Sequence, residues 1–153
     1  MLQSLFLAAL WVAGGGQDSI LLARQLVDRQ PAVMEVGYRP RDGQTVQVNP
    51  PGFVWPRARN FTYAFQLARR RDFSSAITVR GIKLSVHIPT KPLEPGKWFW
   101  RYGIEVGEQV VWSKPRWFVV PADVPKLAWE WDKWIARLPK GHPRLWVRAC
   151  LLY

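Results

Sequence analysis

The sequence predicts an all-β fold: a two-sheet β-sandwich with a signal-like helix before it and a short linker helix after it. Three observations predict this. From about Pro31 onward, prolines and glycines punctuate short runs of aromatic and β-branched residues, the texture of strands joined by regularly spaced turns. Two runs, FTYAFQLA (61–68) and WFWRYGIEV (98–106), alternate with the period of two that places one strand face inward. A hydrophobic fraction of 48% with ten tryptophans in 153 residues supplies a core and argues against disorder. This length suits one ordinary domain that needs no metal or disulfide staple.

The elements follow in chain order. Residues 1–16 read MLQSLFLAALWVAGGG, with an uncharged apolar run from Leu5 to Ala13 followed by small residues. That is too short to span a membrane, which takes about 20 residues. It fits the hydrophobic core and cleavage zone of a secretory signal, and a buried N-terminal helix is the alternative. Ser19–Gln30 has helical spacing at Ile20, Ala23 and Val27 and is expected to stop at Pro31, because the residue before a proline disfavours the α region. Residues 17–31 therefore form a helical lead-in.

Thr45–Asn49 alternates as a strand, NPPG (49–52) is a turn, and Phe53–Trp55 is a short strand closed by Pro56. In Phe61–Ala68, Phe61, Tyr63, Phe65 and Leu67 share the inner face. Phe73–Ala76 reads as one helical turn, Ile77–Ile82 as an extended piece, and Leu84–Pro89 as a strand with Val86 and Ile88 on one face and His87 on the other. In residues 93–106, Trp98, Trp100, Tyr102, Ile104 and Val106 share a face. A hairpin turn at Gly107–Gln109 leads into Val110–Trp112 and Arg116–Val120. Pro115 interrupts that return, since it cannot donate to a ladder. About seven short strands between Glu35 and Val120 match an immunoglobulin-like or fibronectin-type-III-like sandwich, placed at residues 32–122. Beyond them, Leu127, Trp131, Trp134 and Leu138 form a helical stripe in Lys126–Leu138, placing a linker helix within 123–153.

The charge is strongly one-sided: 22 Lys and Arg against 11 Asp and Glu, a net +11. A basic surface favours a polyanionic partner without choosing among nucleic acid, acidic polysaccharide and anionic membrane. The single cysteine, Cys150, excludes an intrachain disulfide and a cysteine-based zinc site. Two histidines, His87 and His142, leave little material for a metal centre. No phosphate loop, metal-ligand spacing or nucleophile elbow is present. The expectation is therefore no cofactor and no catalytic, cofactor-binding or metal-binding residue.

Five stretches stand in an order and spacing that resemble one family: NPPGFVWP (49–56), YAFQLARRRDFSSA (63–76), LEPGKWFWRY (93–102), WSKPRWFVVP (112–121) and GHPRL (141–145). Together they resemble the N-terminal region of heparinase II/III-like polysaccharide lyases over about residues 32–145. The resemblance implies a fibronectin-type-III-like sandwich ahead of a helical toroid and a further β-sandwich. It also implies secretion or a periplasmic location, and β-elimination on an acidic polysaccharide carried out by toroid residues. None of those residues can be placed on this sequence. His142–Leu145 stands where the toroid begins, and the WVRACLLY that follows does not resemble its opening helix. The expectation is a non-catalytic N-terminal accessory domain, not itself an enzyme, from a chain cut short of its toroid. The alternatives are a free-standing carbohydrate-binding module and an adhesion or receptor-type sandwich with a protein partner.

His87 reads as a solvent-facing or satisfied strand histidine, and His142 as a junction residue. Tyr63 and Tyr102 read as core, with Tyr38 in or near a strand. Arg69-Arg70-Arg71 is the sharpest charge run, in a segment (55–101) of local net +8. It reads as a solvated loop ahead of an electrostatic footprint for sulfates or carboxylates. Trp98 and Trp100 read as core. Trp112 and Trp117, flanking Pro115, are the pair a sugar-binding surface requires. Trp131 and Trp134 form an apolar stripe that is an aggregation liability if uncovered. Asn60-Phe61-Thr62 fits the N-glycosylation pattern. The expected partner is an acidic polysaccharide, with no nucleic acid, because the aromatics alternate inward and do not form an open stacking platform, and with no stable membrane insertion.

Overall fold

A computed structural model describes residues 17–127 together with Ala136. The expected signal segment (1–16), nearly all of the expected linker helix with Trp131 and Trp134, and His142 and Cys150 lie outside the described residues. Lys126 and Leu127, where that helix was expected to begin, are not helical; Lys126 pairs in parallel with Asn49 through an isolated bridge.

Among the described residues the helix α1 (17–26) precedes eight strands. These are β1 (Gln44–Thr45), β2 (Phe53–Val54), β3 (Thr62–Ala68), β4 (Ile77–Ile82), β5 (Val86–His87), β6 (Gly96–Val106), β7 (Gln109–Trp112) and β8 (Arg116–Val120). The main sheet runs β1-β8-β6-β3-β4, with β7 also pairing β6. All its neighbours are antiparallel except β1 and β8, where Gln44 stands opposite Phe118 in parallel register. The second sheet is the two-stranded ribbon β2–β5.

The all-β sandwich expectation is therefore corrected to a mixed α/β fold. Two findings overturn it. The helix is part of the core: Ala23 is completely buried, and Leu26 and Val27 pack against the central cluster. The second sheet is a ribbon of two-residue strands, too small to close a sandwich over a six-stranded partner. Local chemistry explains the short strands. The prolines at 50, 51 and 56 remove ladder donors on either side of β2. The expected strand Thr45–Asn49 shrinks to Gln44–Thr45 with a lone bridge at Asn49. The expected helical turn at 73–76 is instead a tight turn with Phe73 and Ser75 at positive φ.

The core lies between the inner face of the main sheet, α1 and the ribbon. Phe53 of β2 reaches down to the sheet, with ring centroids 4.7 Å from Phe65, 5.3 Å from Trp100 and 5.5 Å from Phe118. Trp55 stacks on Tyr102 at 5.2 Å. Such contacts add roughly 0.5–1.5 kcal/mol per pair to the area buried. The outer face is covered differently. Val110 and Trp112 of β7 fold over Gly103, where an added Cβ would collide with Val110 and approach the Trp112 ring to 2.9 Å. A strand glycine here admits a close approach. Gly103→Ala is expected to destabilise the fold by about 2 kcal/mol through overpacking, read as a lower urea midpoint with an unchanged slope.

Between α1 and β1 the chain makes a turn pinned by Glu35. Its carboxylate accepts from Arg29 Nη2 (2.5 Å), Ala32 N–H (3.0 Å) and Arg57 N–H (2.9 Å). The Arg29 guanidinium foremost, with those amides, holds the Glu35 carboxyl at about 2, against an ordinary 4.5. The folded value is depressed, so this stabilisation is complete above about pH 4.5 and is lost as pH falls toward about 2. Thermal melting across that window should show the wild-type chain losing stability. Glu35→Gln should start less stable at neutral pH and lose less on acidification.

Among the described residues no helix is long and apolar enough to cross a membrane. None of their His, Cys, Asp and Glu side chains gather in groups of three or more that could hold a metal ion.

Candidate functional site

The three arginines after β3 are all exposed, but their surroundings differ. Arg69 lies over the Trp98 ring, 4.2 Å from its centroid, and donates to the carbonyls of Pro95 (3.0 Å) and Lys97 (3.3 Å). It fastens the turn into β6. Arg70 grips Asp72 at 2.9 Å, and that pairing, helped by Ser74, holds the Asp72 carboxyl well below the usual range. Arg71 makes neither contact and lines a groove.

The tryptophans divide as the strand alternation predicts for Trp98 and Trp100, which are buried. Trp112 and Trp117 are half-buried on the outer face, where cations cover them. The Arg101 guanidinium sits 4.6 Å from the Trp112 ring and 4.2 Å from Phe73, while the Lys97 ammonium sits 4.0 Å from Trp117. Lys97 and Arg101 occupy the faces a sugar ring would need.

His87 lies on the opposite face from Val86 and Ile88, as the alternation predicts. It turns inward, half-buried, with its ring 4.6 Å from Phe65, and burial pushes its pKa down. Val86 and Ile88 are the exposed members, 37% and 51%. A two-residue strand gives alternation too little length to decide which face is core. Tyr63 is buried, with its hydroxyl bonded to Ala58 N–H and C=O. Asn60 of the glycosylation pattern is an exposed turn residue at positive φ.

Sequence reasoning passed over the charged network joining α1 to the β7–β8 junction. Asp28, just past the helix, accepts from Arg116 Nη2 at 2.5 Å and from Lys114 N–H at 2.6 Å. Its own N–H donates to the Tyr102 hydroxyl at 3.2 Å. The Arg116 side chain is only 5% exposed. It donates further to Ser113 Oγ and the Lys114 carbonyl and lies 3.7 Å from the centre of the Tyr38 ring. Tyr38 is tied to Arg29 through its hydroxyl. Beside this network opens a groove of about 620 Å³, lined by residues from 28–31, 37–42, 71 and 114–116. Its members come from four separated segments, so no local motif announces it.

A second constellation is built from the family-like stretches. Asn49 is 1% exposed. Its Nδ2 donates to the Leu93 carbonyl and its Oδ1 accepts from the Leu93 N–H, both at 2.7 Å. Its backbone exchanges hydrogen bonds with residues 125–127, donating to Pro125 C=O at 3.0 Å and accepting from Leu127 N–H at 2.7 Å. One residue thus ties the NPPG turn, the LEPG turn and residues 125–127 together.

No protein-family model matches the chain, and no curated protein matches it.

Proposed function

We propose that this chain is a non-catalytic accessory unit at the N-terminal end of a heparinase II/III-like polysaccharide lyase, and that its role is to fix the direction in which the following chain leaves. The observation that carries this reading is the placement of the shared stretches. Phe53 and Trp55 of the first, Phe65 and Leu67 of the second, Trp98, Trp100 and Tyr102 of the third and Phe118 of the fourth are all core residues. Asn49 and Leu93 join two of those stretches to Pro125 and Leu127. Residues spent on packing and on steering an exit support a structural unit better than a reacting one. A general base must come within hydrogen-bond reach of the proton it removes, and His87 lies against Phe65. The cation-covered rings of Trp112 and Trp117 argue against a free-standing sugar-binding module.

The mixed α/β architecture separates this proposal from the sandwich that the resemblance implied, so it stands on motif placement. A secreted or periplasmic location belongs to the same proposal. The test has two readouts. The chain incubated with heparin and with a uronate polymer should generate no ultraviolet absorbance from unsaturated uronate; a steady rise would overturn the non-catalytic assignment. Hydrogen exchange should show the Leu127 amide protected; free exchange there would overturn the steering role.

A further inference from the structure

The groove beside Asp28 and Arg116 gathers cations that the fold does not use. Arg39, Arg41, Arg71 and Lys114 line it, and their side chains have no hydrogen-bond or ion-pair partner among the described residues. The two acids of the lining are already engaged. Asp28 lies between Arg116 and the Lys114 N–H, and Asp42 accepts from the Trp117 N–H at 2.9 Å. Like charges gathered at one place repel, and a departure from local consistency without a structural gain marks a functional position. The base of the groove is rigid, because Asp28, Ser113, the Lys114 carbonyl and the Tyr38 ring hold Arg116 from several sides.

We infer that this groove binds an oxyanion group: a sulfate, phosphate or carboxylate, free or carried on a larger molecule. Guanidinium groups offer paired donors that match such a group in geometry and charge. Among the described residues the lining holds one aromatic, Tyr38, and Arg116 is packed on its ring, so it offers little open surface for stacking a nucleobase. The inference stands apart from the accessory-unit reading, since an orienting unit needs no ligand and an anion site needs no toroid.

The test is calorimetric titration of the full chain at fixed ionic strength with three probes: sodium sulfate, sodium tripolyphosphate and a heparin-derived octasaccharide. Saturable binding of at least one probe is expected. Arg71→Gln with Lys114→Gln should weaken it by about tenfold or more, as should Arg39→Gln with Arg41→Gln. Arg59→Gln with Lys91→Gln removes the same charge outside the groove and should change affinity by less than about twofold. Binding of the small anions identifies a free-anion site, and binding of the octasaccharide alone identifies a group carried on a polymer. Melting temperatures confirm that each variant is folded. Two outcomes overturn the inference. One is the absence of saturable binding to all three probes. The other is an equal loss in the groove and control variants, which would show affinity following net charge alone.

Discussion

Asp28→Asn is expected to destabilise the fold by about 3 kcal/mol, the scale for removing one partner of a buried ion pair. Asparagine keeps the size of the side chain and tolerates the positive φ of 60° found at this position, so the change isolates the charge. What remains is a guanidinium with only 5% of its side chain exposed and no carboxylate facing it. The reverse removal should cost less. Arg116→Met leaves Asp28, whose side chain is 24% exposed and is better able to recover water. A loss of about 1–2 kcal/mol is expected, much of it from packing on Tyr38. The double variant should be more stable than the sum of the two losses implies. Urea denaturation of the four proteins measures this directly. Equal losses in the two single variants, or strict additivity, would refute the buried-charge account.

The second large effect belongs to Asn49. Asn49→Asp substitutes an acceptor for the side-chain donor that faces the Leu93 carbonyl, and it places a carboxyl at a site 1% exposed. A loss of about 4 kcal/mol at neutral pH is expected, combining an unmet buried carbonyl with an uncompensated charge. Asn49→Ala should cost about 2–3 kcal/mol, because it only leaves the Leu93 groups unpaired. The two variants separate on acidification. Burial raises the folded pKa of the introduced carboxyl above its unfolded value. The penalty is therefore full above the folded pKa and is relieved as pH falls through it, when the protonated oxygen again donates to Leu93. The gap between Asn49→Asp and wild type should narrow in mild acid, while that of Asn49→Ala stays fixed. Denaturation midpoints at several pH values would check it, and a gap that widens in acid would count against this account.

Legibility in the sequence followed the length over which a pattern repeats. β3 and β6 are seven and eleven residues long, and their alternating Tyr63, Phe65 and Leu67 and Trp98 to Ile104 all point to the core. The spacing of Ile20, Ala23 and Val27 likewise marks α1, which begins before Ser19 and ends before Gln30. What the sequence did not show is that α1 joins the core, because a helical stripe does not name the surface it packs on. The two-residue strands β2 and β5 are too short for periodicity to say which face is core, so alternation set His87 opposite Val86 and Ile88 without saying which side meets the core. Asp28 and Arg116 stand 88 positions apart, and ion pairing at that separation leaves no local trace. The arginine run drew notice as one charged block, whereas its members have three separate fates.

Among the described residues β4 forms the outer end of the main sheet, with β3 its one neighbour in the strand order. A long, flat outer strand recruits copies of itself. β4 is neither flat nor neutral. Its pairing with β3 slips register between Tyr63 and Phe65, Gly81 bends the backbone at a φ of 70°, and exposed Arg80 leans across to Glu105 at 2.9 Å. These same six residues, which look like the least regular part of the sheet, keep its side from serving as a seam between molecules, so colloidal behaviour in concentrated solution should depend on Arg80 and Gly81 more than on residues of the core.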